Sequence, residues 1–143
     1  MDLRRTMGGA MAGMAGAAVW AAQQPLDKRV FRTRADDVEL LGKLVTRGQW
    51  WPLAGLALHA ANGATFGVAF HELRRRIDAS PRALALGLAL AEHVALYPLS
   101  YFVDTRHPAR GRPGVPPLLT RRAFAQATAR HALFGIVLGR LAA

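Results

Sequence analysis

Six polar residues interrupt stretches of this sequence that are otherwise almost entirely apolar. They are His59, Asn62, Glu92, His93, Arg130 and His131. An isolated charge inside hydrocarbon costs several kcal/mol, so we expect Glu92 and Arg130 to pair with each other or with polar neighbours. Ionisable residues in such surroundings are candidates for function. Together the six form the candidate cluster for binding a ligand or relaying protons.

Four chemistries are open to this cluster. Its members could be inert, hydrogen-bonded contacts between helices. Glu92, His93 and His131 could instead relay protons or hold a polar ligand or ion. His59 and His131 could supply both axial ligands of a haem. Glu92 and His93 could also act as acid and base in membrane-embedded catalysis. No hydrolase elbow, phosphate loop or zinc-protease motif accompanies them, so an enzyme is the less favoured expectation.

Divalent metal binding has weaker support in the sequence. The chain contains no cysteine, which excludes thiolate metal sites and disulfides. Candidate ligands occur as two separate pairs, His71 with Glu72 and Asp104 with His107. Because a metal site needs three or more protein ligands, each pair is only a weak candidate. Asp104 and His107 could equally assist catalysis by the cluster.

The charged residues are segregated along the chain, and this defines the elements that carry the cluster. Four stretches, at about 6–26, 49–70, 83–103 and 121–142, each approach the ~20 apolar residues needed to cross a bilayer. A soluble four-helix bundle would show a polar face at helical period, and residues 50–59 and 83–91 show none. We therefore predict an all-α integral membrane four-helix bundle, a single transmembrane domain over residues 1–143.

The charge balance indicates a lipid environment for the chain. Nineteen basic against nine acidic residues give a formal charge of +10, yet the mean hydropathy is +0.13. The charges fall between the apolar stretches, whereas a nucleic-acid-binding protein spreads them over a solvated face. We predict a multi-pass protein of the bacterial cytoplasmic membrane that contacts anionic lipid and no nucleic acid. Orientation stays open, because placing both ends in the cytoplasm leaves seven basic residues inside and eleven outside.

Two connecting segments carry their own signals. Asp36 followed by Glu39 has the form of a capping pair and opens a helical pattern over residues 38–45. The apolar positions 38, 41, 44 and 45 share one face, so we expect a short amphipathic helix at the membrane surface. Prolines and glycines punctuate residues 106–117, which predicts irregular structure there.

The second and fourth stretches share a sequence motif. Residues 59–67 and 131–139 both read H-A-x-x-G-x-x-x-G, at an offset of 72 residues, which is about half the chain. The first and third stretches both end near a proline, at Pro25 and Pro98. We infer a duplicated two-helix unit with halves 1–72 and 73–143.

Glycines mark the faces through which these helices are expected to pack. The packing candidates are Gly9, Gly13, Gly63, Gly67, Gly135 and Gly139, of which the last four would let the second and fourth helices pack backbone to backbone. The first stretch also fits a signal peptide, since Arg4 and Arg5 precede it and small residues lie near Ala21. The glycine stripe favours instead a retained helix that packs closely.

A Gly/Ala-rich first stretch, an acidic and apolar segment at 36–45 and the sequence LHAANGATFG at 58–67 occur together in the first half of the chain. In this combination the chain resembles the small bacterial inner-membrane proteins of the YagU-like type. The resemblance implies a location in the inner membrane and no particular reaction.

The expected function is that of a small multi-pass membrane protein acting as a binding or accessory subunit. So short a chain encloses little volume, so we expect a homo-oligomer or a subunit of a larger membrane complex. A transporter or proton and ion relay through the cluster is the first alternative. A bis-histidine haem-binding protein and a small membrane-embedded enzyme are the others.

Overall fold

The computed structural model describes residues 3–142, apart from the side chains of Leu3 and Arg5, and all regular structure in that range is helical. The all-α prediction is therefore confirmed. Arg5, which precedes the first predicted span, has its side chain outside the described part. The elements are α1 (Leu3–Val30), α2 (Asp37–Val45), α3 (Trp51–Arg74), α4 (Pro81–Leu96), a 3₁₀ turn (Tyr97–Leu99), α5 (Ser100–Arg106) and α6 (Arg121–Leu141).

Local sequence signals start several of these helices. The side chains of Asp36, Ser80 and Thr120 each accept a hydrogen bond from the backbone N–H three residues further on, which caps α2, α4 and α6. Pro52 and Pro81 lie in the first turns of α3 and α4, where a missing N–H costs nothing. The cap predicted at Asp36 is confirmed and α2 follows it, but the Glu39 carboxylate pairs with Lys43 and the N–H of Asp36 is bonded elsewhere.

The long helices run up and down. α1 packs against both α3 and α6, and α4 packs against α6. Each of the four predicted spans coincides with a helix or, for residues 81–106, with a helical run that contains the 3₁₀ turn. α1 does not end near Pro25 as expected, because it continues through this exposed proline to Val30.

Glycines set the closest helix contacts. A Cβ added to Gly13 would lie 1.9 Å from the carbonyl oxygen of Gly63, so α1 and α3 touch through their backbones. On α6, a Cβ added to Gly135 would lie 2.8 Å from Cα of Leu86 in α4. The expectation that the second and fourth helices pack backbone to backbone through their glycines is wrong, because the glycines of α3 face α1 and those of α6 face α4.

These two helix pairs coincide with the two halves proposed from the sequence motif. α1 with α3 forms one pair and α4 with α6 the other, and α1 joins the halves by packing on α6. The duplication itself stays a prediction. The buried core cluster is small, and half of its members are alanines, with Phe70, Leu84, Phe134 and Leu138 as the larger ones.

Within residues 3–142, two helical runs are long and apolar enough to cross a membrane, Trp51–Arg74 and Pro81–Arg106. α1 and α6 are long enough but less apolar, since α1 is rich in glycine and alanine and α6 carries arginines. The four-span membrane bundle therefore stays a prediction.

α2 lies alongside the first turns of α3 and is covered by the loop after α5. A Cβ on Gly42 would lie 2.0 Å from the carbonyl oxygen of Trp51, so the two helices meet at backbone distance. On the other side, the N–H of Asp36 donates to the carbonyl of Gly114 at 3.0 Å. Residues 107–120 form turns without a regular element, as their prolines and glycines predict.

Candidate functional site

A buried ion network centred on Arg130 links α6 to α1 and α2. The guanidinium holds Asp27 with two hydrogen bonds, Nε to Oδ2 at 2.5 Å and Nη2 to Oδ1 at 2.7 Å. Its Nη1 donates to Asp37 Oδ2 at 2.5 Å, and Nη2 also donates to the carbonyl of Ala35 at 3.0 Å. Only 2% of the Arg130 side chain is exposed, so this bidentate pairing replaces water almost completely.

Neutral polar side chains complete the network. Gln126 and Gln23 donate to the two carboxylate oxygens of Asp27 at 2.7 and 2.6 Å. The indole N–H of Trp20 donates to Asp37 at 2.8 Å. Since one guanidinium faces two carboxylates, the network carries one formal negative charge in excess.

The pKa of Asp27 reflects these contacts. Burial alone would raise it, but hydrogen bonds from Arg130 and Gln126 and the charge of Arg130 outweigh burial and hold the pKa of Asp27 below its ordinary value of 3.8. The carboxylate is therefore ionised at neutral pH and forms a full ion pair with the guanidinium.

The expected pairing of Glu92 with Arg130 is wrong. Within the described residues the carboxylate of Glu92 has no hydrogen-bond or ion-pair partner, while every side-chain bond of Arg130 goes to α1 or to the 35–37 segment. The physical reason is that the two side chains face different parts of the bundle. Arg130 faces α1, which lies against α6, whereas Glu92 lines a separate cavity.

That cavity, called here the central cavity, has a volume of about 220 Å³ and lies between α3 and α4. α3 and α4 touch little, so a cleft opens between them, backed by α1 and α6 and closed on one end by α2. Its polar lining is Asp37, His59, Asn62, Glu92 and His131, and its apolar walls include Trp20, Phe66 and Phe134. The cavity thus gathers four of the six predicted cluster residues.

The histidines of the cluster are each fixed by one hydrogen bond. His59 Nε2 donates to the carbonyl of Ala17 at 3.1 Å, and His131 Nδ1 donates to the carbonyl of Ala127 at 2.8 Å. Because a carbonyl only accepts, these bonds set the tautomers and leave the other nitrogen of each ring as an acceptor.

A second cavity of about 160 Å³ adjoins the first and shares Asp37, Leu96 and His131 with it. His93 lines this second cavity, where its Nε2 lies 2.9 Å from the hydroxyl of Thr128. The rings of His93 and His131 are 4.8 Å apart between centroids. Arg130 also borders the second cavity and not the central one.

The arrangement does not fit a haem held by His59 and His131. The indole of Trp20 packs edge-on against both rings, with centroids 5.4 and 4.7 Å away. Nε2 of His59 is bonded to a backbone carbonyl, and the cavity is smaller than the roughly 300–1,000 Å³ of typical small-molecule sites.

Catalysis by Glu92 and His93 fits the geometry no better, because these neighbours in sequence line different cavities. Asp104, within α5, and His107, directly after it, both bond to backbone groups in or next to the following loop. The carboxylate of Asp104 accepts from the N–H groups of Leu118 and Leu119 at 2.7 and 3.0 Å.

The remaining metal candidates have structural partners as well. His107 Nε2 donates to the carbonyl of Leu40 at 3.0 Å, and its Nδ1 accepts from the N–H of Ala109. Glu72 pairs with Arg75 at 3.7 Å, and His71 packs next to Gly9. No group of three metal-ligating side chains occurs among the residues that the structure describes.

Sequence reasoning missed Trp20, Asp27, Asp37 and Gln126. Asp27 and Asp37 lie in a charged connecting segment, where solvation is the usual expectation, and Gln126 and Trp20 carry no charge. One signal could have pointed to Asp27. An arginine inside a predicted span requires an acidic partner, and Asp27 directly follows the first predicted span.

Comparison with protein-family models, curated proteins and solved structures gives no match for this chain.

Proposed function

We propose that this protein is a small multi-pass membrane protein that binds a small ligand in the central cavity, in a binding or accessory role. The supporting observation is the difference between two neighbouring polar sites. Around Arg130 every polar group is satisfied, as a structural network requires. In the cavity, Glu92 and one nitrogen each of His59 and His131 are left without protein partners among the described residues.

Membrane insertion is supported by the surface of the apolar helices. Only 28% of the most apolar part of α3 and 22% of that of residues 81–106 are buried, although the core helix of a soluble protein would be mostly buried. Large apolar side chains face outwards along both runs, among them Leu53, Leu56, Val94 and Phe102. In water such a surface would be an aggregation hazard, whereas in lipid it is solvated.

The four-span topology in a bacterial cytoplasmic membrane is part of this proposal. α1 and α6 pack antiparallel to the two apolar runs and would cross with them. Basic residues then flank the bundle at both ends, with Arg74–Arg76 and Arg82 at one end and Arg29, Arg32 and Arg34 at the other, suited to anionic headgroups.

Single cysteines test the topology without background, because the chain has none of its own. With a membrane-impermeant maleimide, Asp78→Cys and Gln49→Cys should react from opposite sides of a sealed vesicle. Ala61→Cys, which is exposed in the middle of α3, should stay unlabelled until detergent is added. Rapid labelling of all three in sealed vesicles would rule out a spanning α3.

An accessory role is supported by a stripe of methionines on α1. Met7, Met11 and Met14 follow each other at helical spacing, and each is exposed. Methionine adapts its shape to irregular apolar surfaces, which suits contact with another helix. Met11→Cys should therefore cross-link to a second copy or to a neighbouring subunit in native membranes, and the exposed Leu53→Cys on α3 serves as the control. Equal cross-linking of both, or of neither, would contradict a contact through this stripe.

A proton or ion relay is the second candidate. The observation in its favour is that His131 borders both cavities and that the rings of His93 and His131 are 4.8 Å apart. Reconstituted protein should then dissipate a pH gradient in liposomes, and Glu92→Gln should slow the flux. Liposomes with wild-type protein that hold the gradient as well as empty ones would exclude this role.

A further inference from the structure

The polar lining of the central cavity is unbalanced in charge. Two of its side chains, Asp37 and Glu92, are carboxylates, and no lysine or arginine lines it. Arg130 does not restore the balance, because its single positive charge is already shared between Asp27 and Asp37. A carboxyl group in apolar surroundings is either protonated or compensated by a cation, so a bound cation would stabilise the ionised form of both groups.

The walls of the cavity suit a cation with an apolar body. Trp20, Phe66 and Phe134 line it together with Leu40 and Leu41. Aromatic faces attract an ammonium group, and they also pack against apolar carbon. The volume of about 220 Å³ limits the occupant to a compact molecule.

The position of the opening indicates how such a molecule enters. Asn62 lines the cavity and is also exposed, so the cleft is open between α3 and α4 partway along their length. If these helices cross the bilayer, the opening faces lipid. A ligand that first partitions into the membrane can reach the cavity sideways.

We propose that the central cavity binds a small lipophilic organic ammonium ion, with the charge held by Glu92 and Asp37 and the apolar body against Trp20 and Phe66. This inference rests on the proposed ligand-binding function and adds the chemical class of the ligand. Nitrogen acceptors on His59 and His131 complete the coordination of the N–H groups.

Three probes of similar shape and different charge test the proposed class of ligand. The probes are benzylammonium, benzyl alcohol and benzoate, applied to the full chain in mild detergent at fixed ionic strength. Trp50→Phe with Trp51→Phe leaves Trp20, in the cavity wall, as the only tryptophan reporter. We expect saturable quenching or enhancement with benzylammonium and no saturable change with the other two probes.

Single substitutions test whether the probe binds in the central cavity. Glu92→Gln is nearly isosteric and removes a carboxylate without partners among the described residues, so it should fold and should weaken benzylammonium binding roughly tenfold or more. Glu72→Gln, on α3 but outside the cavity, is the matched control and should bind as wild type does. Asn62→Leu, at the exposed opening, should lower affinity as well and does not depend on the charge of Glu92.

Each outcome decides something. Saturable binding of benzyl alcohol or benzoate as tight as that of benzylammonium would overturn the ammonium class and leave ligand binding standing. Failure of all three probes to bind would overturn the ligand-binding function together with the class. Benzylammonium binding that survives both Glu92→Gln and Asn62→Leu would place the site elsewhere and overturn the assignment to this cavity.

Discussion

At the scale of single residues, the buried charges fall into two kinds. Arg130 is held in a fork by Asp27 and reaches Asp37 as well, so its charge is neutralised in place. Glu92 has no such partner within the described residues. Removing one partner of a buried ion pair costs far more stability than neutralising an unpaired group. Neutralising Arg130 should therefore destabilise the protein strongly, and neutralising Glu92 should not.

Arg130→Met should lower the free energy of unfolding by about 3–5 kcal/mol, because it leaves the buried Asp27 without its cation. Arg122→Met, at an exposed position on the same helix, should change it by less than about 0.5 kcal/mol. Denaturant unfolding in mild detergent measures both. Similar stabilities for the two variants would mean that Asp27 is not paired in the folded protein.

Acid should weaken this network in a defined range. The pKa of folded Asp27 lies below its ordinary value of 3.8, so the ionised form is favoured by folding. That contribution is complete above the ordinary value and is lost as the pH falls below it towards the folded pKa. Stability should therefore drop more steeply below pH 3.8 in the wild type than in Asp27→Asn. Unfolding midpoints collected from pH 6 to about pH 3 give the comparison, and parallel curves would contradict the assignment.

At the scale of elements, the sequence was most informative where the cause is local. The cap at Asp36 and the irregular 107–120 loop follow from residues a few positions apart. The partner of Arg130 lies 103 residues earlier, beyond the reach of any periodicity, and the glycine motif indicated close packing without indicating which helix would be the partner. Helix positions were predictable for this reason, and contacts across the bundle were not.

Alanine at Gly63 and alanine at Gly87 should have opposite effects on stability. A Cβ on Gly63 would lie 2.5 Å from the carbonyl oxygen of Gly13, so Gly63→Ala should push α1 and α3 apart and cost about 1–3 kcal/mol. Gly87 on α4 has nothing within 4 Å of an added Cβ, so Gly87→Ala should stabilise by about 0.5–1 kcal/mol. Thermal unfolding of the two single variants tests this directly. A destabilised Gly87→Ala with an unaffected Gly63→Ala would contradict the α1–α3 contact.

At the scale of the whole molecule, the distribution of outward-facing side chains separates a middle from two ends. The apolar runs present leucine, valine and aromatic side chains to their surroundings, and the arginine clusters lie near the turns. In water, an exposed apolar residue can be replaced by lysine at little cost anywhere on the surface. In a bilayer the cost depends on depth.

Val94→Lys should therefore impair the protein strongly, because Val94 is 61% exposed in the middle of the 81–106 run and would place a charge in hydrocarbon at a cost of about 2.5–3.5 kcal/mol. Ile77→Lys is the matched control, since Ile77 is 41% exposed in the turn between α3 and α4. The yield of folded protein in the membrane fraction is the measurement. Two variants with equal yields would speak for water, not lipid, around α4.

The sequence distance within the Arg130 network also sets an order of events during synthesis. Asp27 and Asp37 precede Arg130 by 103 and 93 residues, so a ribosome completes the first helix pair well before it reaches the arginine. Until then both carboxylates lack the guanidinium, although their neutral donors Gln23 and Trp20 lie on the helix already made. α6, which follows both carboxylates in the chain, is therefore the helix that supplies their cation.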